Sequence, residues 1–108
     1  MDNFTLKDLE NIIEKRKNIS KDESYTALLL NSPVEKTIKK IGEESAELIY
    51  AINQNDKKKL IHEFADLLYH LVVLSKISNI SIDEIMDELM SRTKLSGLVE
   101  KEIGRAHV

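Results

Sequence analysis

Cysteine is absent from the 108 residues. Its absence excludes disulfides and thiolate metal sites, and it fits a reducing cytoplasm, the expected location. Glycine occurs three times and proline once, too little punctuation for strands joined by tight turns. The longest strongly apolar stretch, LLYHLVVL, falls far short of the ~20 residues that span a bilayer, so no membrane partner is expected. The opening MDNFTLKDLENII has no secretory-signal pattern. A large charge excess is also missing: 16 Lys and Arg oppose 19 Asp and Glu, for a formal net charge of -3. So balanced a chain is not expected to bind nucleic acid.

What is present is helical periodicity. The length suggests a single domain over residues 1–108. Five segments read as helix. The first runs roughly from Thr5, a plausible N-cap, to Lys17, with Leu6, Leu9, Ile12 and Ile13 as its apolar face. A short second one lies near Ser24 to Asn31. The third opens at Ser32, where Ser32, Pro33 and Glu35 have the order of an N-cap, a first-turn proline and a capping box. Its apolar stripe is Val34, Ile38, Ile41, Leu48 and Ile52. The fourth spans Asp56 to about Ser78. The fifth opens with the capping-box pattern Ser81 to Glu84 and reaches about Thr93. The tail, residues 94–108, has weak periodicity and is expected to be partly mobile. No segment alternates with period two. The fold class is therefore all-α.

The third segment carries KIGEESAELIYAI, which puts Glu43, Glu44 and Glu47 within two turns. Like charges at such spacing repel by about 0.2–0.5 kcal/mol per pair on a helix. Lys40, Glu44, Glu47 and Ala51 share one stripe, to one side of the apolar stripe. On the fourth segment Lys59, Glu63, Asp66 and His70 repeat that spacing. The short linker INQNDK implies an antiparallel hairpin. If the turn centres near Asn55, Glu47 faces Glu63, Glu44 faces Asp66 and Lys40 faces His70. Four carboxylates then converge, and they either take up protons or recruit cations. Hard divalent ions such as Mg²⁺ prefer oxygen ligands, and two of them could clamp a polyphosphate. A single ExxE pair is more often a solvated face; two pairs on adjacent helices are less easily dismissed. Leu67, Leu68, Leu71, Val72, Val73 and Leu74 make the fourth helix apolar nearly all round. Such a helix is expected to be buried, partly against a second copy of the chain.

These motifs resemble a known family. KIGEESAE followed by EFADLLYH looks like the ExxE…ExxD signature of the all-α, MazG-like nucleoside triphosphate pyrophosphatases. Ser24-Tyr25-Thr26, Lys40 to Glu47 with Gly42, Glu63 to His70 and a late Ser96-Gly97 bring it nearer to the phosphoribosyl-ATP pyrophosphatases of histidine biosynthesis. The resemblance runs from about Leu6 to Lys101. It implies Mg²⁺-dependent hydrolysis of phosphoribosyl-ATP to phosphoribosyl-AMP and pyrophosphate by a homodimer. It also implies that this chain performs that step alone, without a fused cyclohydrolase.

On that resemblance Glu44, Glu47, Glu63 and Asp66 are the expected Mg²⁺ ligands, with Glu43 and Glu44 the expected catalytic acids. Glu43 would bind a second ion, orient water or act as base; otherwise it is a solvated acid. Lys40 would contact phosphate or pair with Glu44 at i+4. Tyr25 would touch the substrate or serve the core, and His70 would face the site or be a satisfied structural residue. Arg92, Lys94 and Lys101 would reach a neighbouring site in the dimer, or simply favour the dipole at a helix end. Lys36 and Lys39 read as solvated; His62 and His107 carry no signal. Gly42 suggests close approach by another backbone or a ligand, or is a tolerated interior glycine. The rival readings are a house-cleaning nucleoside triphosphate pyrophosphatase and a non-catalytic, metal-binding helical dimer.

Overall fold

The computed structural model describes residues 3–94. Five helices account for the regular structure: α1 (Leu6–Arg16), α2 (Tyr25–Leu30), α3 (Val34–Ile52), α4 (Lys57–Ile77) and α5 (Ile82–Arg92). No strand occurs among the described residues. Ser96-Gly97, Lys101, His107 and the expected mobility of the tail past Lys94 lie outside them.

Short polar side chains start four of the helices by accepting a first-turn N–H. Thr5 Oγ1 accepts from Asp8 N at 3.1 Å, and Asp8 Oδ2 accepts from Thr5 N at 2.9 Å, closing a capping box. Ser24, Asp56 and Ser81 accept from Ala27, Lys59 and Glu84 in the same way. The expected cap at Ser32 does not form. Pro33 occupies the N-cap of α3 with no side-chain bond, and the Ser32 hydroxyl donates to the Leu28 carbonyl at 2.6 Å. With so short a link between α2 and α3, that serine satisfies the orphan carbonyl of the helix it leaves.

α3 and α4 form the expected antiparallel hairpin. Asn55, with φ 55°, lies in the turn between them, in a left-handed conformation that asparagine tolerates. Asn79, with φ 59°, ends α4. There Ile80 N donates to Ser75 O at 2.8 Å and Asn79 N to Lys76 O at 3.1 Å, the paired bonds of a Schellman motif.

The two halves of α4 serve different purposes. Its C-terminal half supplies Val72 and Val73 to an apolar core with Ile13, Leu29 and Ile82. Its N-terminal half carries the acids along α3. The apolar stripe expected on α3 is buried only in part: Val34, Ile41 and Leu48 are half-buried. Ile38 and Ile52 are 52% and 58% exposed, whereas Thr37, Glu44 and Ala51 are buried. The stripe holding Glu44 and Ala51 is thus the packed face itself, not a flank of it. Buried positions seven apart form one seam, and small Ala51 lets the helices approach closely. Ile38, Ile49 and Ile52 are left facing outward.

α5 is anchored by a buried acid. Glu10 on α1 accepts from Ile82 N at 2.9 Å, satisfying an orphan donor at the start of α5. Lys76 from α4 lies 3.6 Å from Glu10 and 3.4 Å from Glu14. Glu10→Ala should therefore lower unfolding stability by about 1–3 kcal/mol, the cost of leaving a buried group without its partner. Urea denaturation checks this: the midpoint should fall with the slope unchanged, and an unmoved midpoint would contradict the anchoring role.

Candidate metal centre and active site

Glu44 comes from the packed seam of α3, and Glu63 and Asp66 from the facing side of α4. One carboxylate oxygen from each lies within 4.8 Å of the others. Glu44 is 8% exposed and Glu63 7%. Glu44 Oε2 and Glu63 Oε2 are buried without any hydrogen-bond partner. Buried acceptors without donors are rare in folded proteins. Here they converge, which is the donor set a hard cation selects. The residues fit a divalent ion on that ground.

Glu47 stands on the exposed lip of the same seam. With Tyr50, Lys59 and Glu63 it lines a cavity of about 340 Å³. The hairpin register thus brings together three of the four expected ligands and sets the fourth beside them. Burial raises the pKa of Glu44 above the usual carboxylate range, and the charges of Glu47, Asp66 and Glu63 push the same way; His70 opposes them.

Lys40 does not pair with Glu44. Its ammonium lies 3.7 Å from Glu43, one turn away on the outer rim, while Glu44 turns inward to α4. Glu43 is exposed beside the cluster. An added Cβ at Gly42 would meet nothing within 4 Å, so no backbone of the described chain approaches it.

His70 is buried, and its Nδ1 lies 2.8 Å from the Asp66 carbonyl oxygen. A carbonyl only accepts, so Nδ1 carries the hydrogen, and Nε2 lies in hydrogen-bond contact with the Tyr25 hydroxyl at 3.2 Å. His70 is therefore the satisfied residue that the sequence allowed, and it also holds a neighbour in place. Tyr25 remains 44% exposed. Its phenol pKa is raised by burial, with Lys40 lowering it and Tyr69, Glu44 and Glu43 raising it. The hydroxyl meets His70, whose ring in turn bonds the Asp66 carbonyl.

Arg92 and Lys94 are not part of this cluster. Arg92, in the last turn of α5, lies 3.5 Å from Glu88, and Lys94 is exposed beyond the helix. His62, by contrast, carries no signal in the sequence reading yet meets the cluster. Its Nε2 lies 3.2 Å from Asp66 Oδ2 at i+4, a spacing that was there to be noticed.

A family described as Phosphoribosyl-ATP pyrophosphohydrolase matches residues 6–93. The chain belongs to this family. Three similar proteins, each named Phosphoribosyl-ATP pyrophosphatase, illustrate the likeness. One from Allorhizobium ampelinum is 50% identical, with 94% of this chain and 97% of the relative covered. One from Sinorhizobium medicae is 46% identical, with 94% of each chain covered. One from Methylobacterium nodulans is 45% identical, over 97% of this chain and 98% of the relative. The family match spans all the carboxylates of the cluster and the helices that carry them.

The raised pKa of Glu44 has a sign. Folding favours its protonated form. That contribution is complete below the ordinary carboxylate pKa and is lost as pH rises through the raised value. In metal-free buffer near pH 7, Glu44→Gln should thus melt above wild type, since about 1 kcal/mol of relief moves Tm by roughly 4–8 °C in a domain this small. The gap should close as the pH falls toward about 4. Differential scanning calorimetry across pH tests it; a variant that melts lower throughout would remove the electrostatic account.

Proposed function

We propose that this protein hydrolyses phosphoribosyl-ATP to phosphoribosyl-AMP and pyrophosphate, the second step of histidine biosynthesis, in the cytoplasm. Mg²⁺ would be held by Glu44, Glu47, Glu63 and Asp66. The observation that carries the reading is the pair of buried, donorless carboxylate oxygens on Glu44 and Glu63, in a chain of this family. Once bound, the ion supplies charge neutralisation for a polyphosphate and acidifies water for in-line attack on phosphorus.

The chain's own residues supply the rest. Glu43, exposed beside the ligands, accepts the proton of the attacking water. Lys40, now paired with Glu43, turns to the phosphate oxygens when substrate arrives. An ammonium is a flexible point charge, well suited to that exchange. Tyr25 offers an open aromatic face to the nucleotide while His70 holds its hydroxyl. Arg92 and Lys94 are assigned to the site of the second subunit. No described helix is long and apolar enough to cross a membrane.

The homodimer reading rests on exposed apolar surface. Phe64, Leu68 and Leu71 line the outer face of α4, and Ile85 and Met86 that of α5. A groove of about 460 Å³ runs between the two helices, lined by Leu68, Leu71, Leu74, Ile85, Met86 and Leu89 among others. Contiguous apolar surface of this kind marks an interface. Sedimentation equilibrium should give twice the chain mass for wild type, and Leu71→Asp should shift the protein to monomer. A monomeric wild type at tens of micromolar would remove the dimer.

Pyrophosphate release from phosphoribosyl-ATP tests the activity, with and without Mg²⁺, beside a panel of ordinary nucleoside triphosphates. Glu63→Gln and Glu47→Gln should each lower kcat/KM by on the order of a hundredfold or more, beyond the tenfold to hundredfold typical of groups that only orient ligands. Release chiefly from ordinary triphosphates would move the protein to the house-cleaning branch with the same metal site. Absence of release from any substrate would leave a metal-binding helical protein.

A further inference from the structure

α2 has six residues, Tyr25–Leu30, far too few to hold a shape by helical hydrogen bonds alone. Something must fix both its depth and its rotation. Ala27 and Leu29 are fully buried and set the depth. Apolar packing is non-directional, so it leaves the rotation of a single-turn helix weakly determined. Rotation matters here because Tyr25, its first residue, meets His70, whose ring bonds the backbone of the ligand-set residue Asp66.

Two consecutive residues of α2 engage two consecutive residues of α4. Tyr25 meets His70 through its hydroxyl at 3.2 Å. Thr26, only 8% exposed, meets the Tyr69 hydroxyl with its own at 2.5 Å. The rings lock these bonds together. Tyr25 and Tyr69 stack at 6.4 Å with 28° between planes. His70 meets Tyr69 edge-on at 4.9 Å and Tyr25 edge-on at 5.9 Å. Three aromatic rings thus form a triangle in the geometries that such pairs prefer.

We propose that Thr26 and Tyr69 are positioning residues for the substrate. Their hydroxyl–hydroxyl bond sets the rotation of α2 and so aims the Tyr25 ring as the wall that receives the base or ribose of the nucleotide. This rests on the reading of Tyr25 as a substrate contact. A Phe at position 69 keeps the packing and loses the direction; a Val at position 26 does the same from the other side.

The test compares Tyr69→Phe, Thr26→Val and Thr26→Ser with wild type and Tyr25→Ala. Two readouts are used: steady-state release of pyrophosphate from phosphoribosyl-ATP, and NMR of ring-labelled tyrosines. Tyr69→Phe and Thr26→Val should raise KM about three- to tenfold, the worth of one hydrogen bond, with kcat and the Mg²⁺ midpoint unchanged. Both should move the Tyr25 ring resonances, which feel the Tyr69 and His70 ring currents. Thr26→Ser, which keeps the hydroxyl, should restore both readouts. Unmoved Tyr25 resonances, or a Thr26→Ser no better than Thr26→Val, would overturn the clamp. So would a Mg²⁺ midpoint displaced together with kcat, since that reports general distortion. If Tyr25→Ala leaves KM unchanged, or wild type releases no pyrophosphate, the substrate reading fails instead; the resonances still decide whether the clamp exists.

Discussion

Glu44 and Glu63 are almost wholly withdrawn from water, and each keeps one carboxylate oxygen that no donor among the described residues reaches. Withdrawing an ionised carboxylate from water costs several kcal/mol unless a counter-charge repays it. The whole domain has only about 5–15 kcal/mol of stability to set against that. Two such groups, with an Asp66 oxygen within 4.8 Å of both, concentrate unrelieved negative charge in the α3–α4 seam. A cation converts that charge into affinity, because relieving repulsion between preorganised acids adds to the attraction each exerts.

The rest of the fold keeps this seam from relaxing. Were α4 free to roll, Glu63 and Asp66 would swing out to solvent and the repulsion would disappear. The C-terminal half of α4 prevents it. Val72 and Val73 are sealed into the core with Ile13, Leu29 and Ile82, and the Schellman turn fixes where the helix ends. At the other end Asn55 closes a hairpin too short to allow the register to slip. The apolar core and the acidic seam lie on one continuous helix, so burial in one half holds the other in register. The hydrogen bond from His70 Nδ1 to the Asp66 carbonyl stiffens the junction between the two halves.

The sequence made helix number, caps and hairpin register legible because each depends on neighbours in the chain. Thr5 with Asp8, Ser24, Asp56 and Ser81 all work over three residues, and the symmetry about Asn55 needed only a count. Ser32 was misread because its hydroxyl had a competing acceptor at Leu28, one turn back in a helix that a capping pattern does not consult. The apolar stripe of α3 is legible only in part, for a different reason. Burial was inferred from hydropathy, yet Thr37, Glu44 and Ala51 are what the fold buries. The acids hold the inner face, Val34, Ile41 and Leu48 flank it half-buried, and Ile38, Ile49 and Ile52 lie on the outside. The pairing of Lys40 followed from the same arrangement: with Glu44 turned inward, Glu43 was the acid left on the rim. The Thr26–Tyr69 contact joins residues far apart in the chain, and no local pattern announces it.

The distribution of charge around the seam imposes an order on what can bind. Glu43, Glu44, Glu47, Glu63 and Asp66 gather here, and the lysines nearby are peripheral: Lys40 is paired with Glu43, and Lys59 lies over the Tyr50 ring at 6.0 Å. A polyphosphate approaching the bare carboxylates meets net repulsion. The same polyphosphate approaching a cation-filled seam meets attraction, and Lys40 and Lys59 at its two ends add to it. Affinity for the anion and affinity for the cation are therefore coupled, and the coupling is reciprocal: whatever the ion contributes to holding the nucleotide, the nucleotide contributes to holding the ion. Acids too crowded for a stable surface and lysines kept to the rim are the arrangement that such coupling requires.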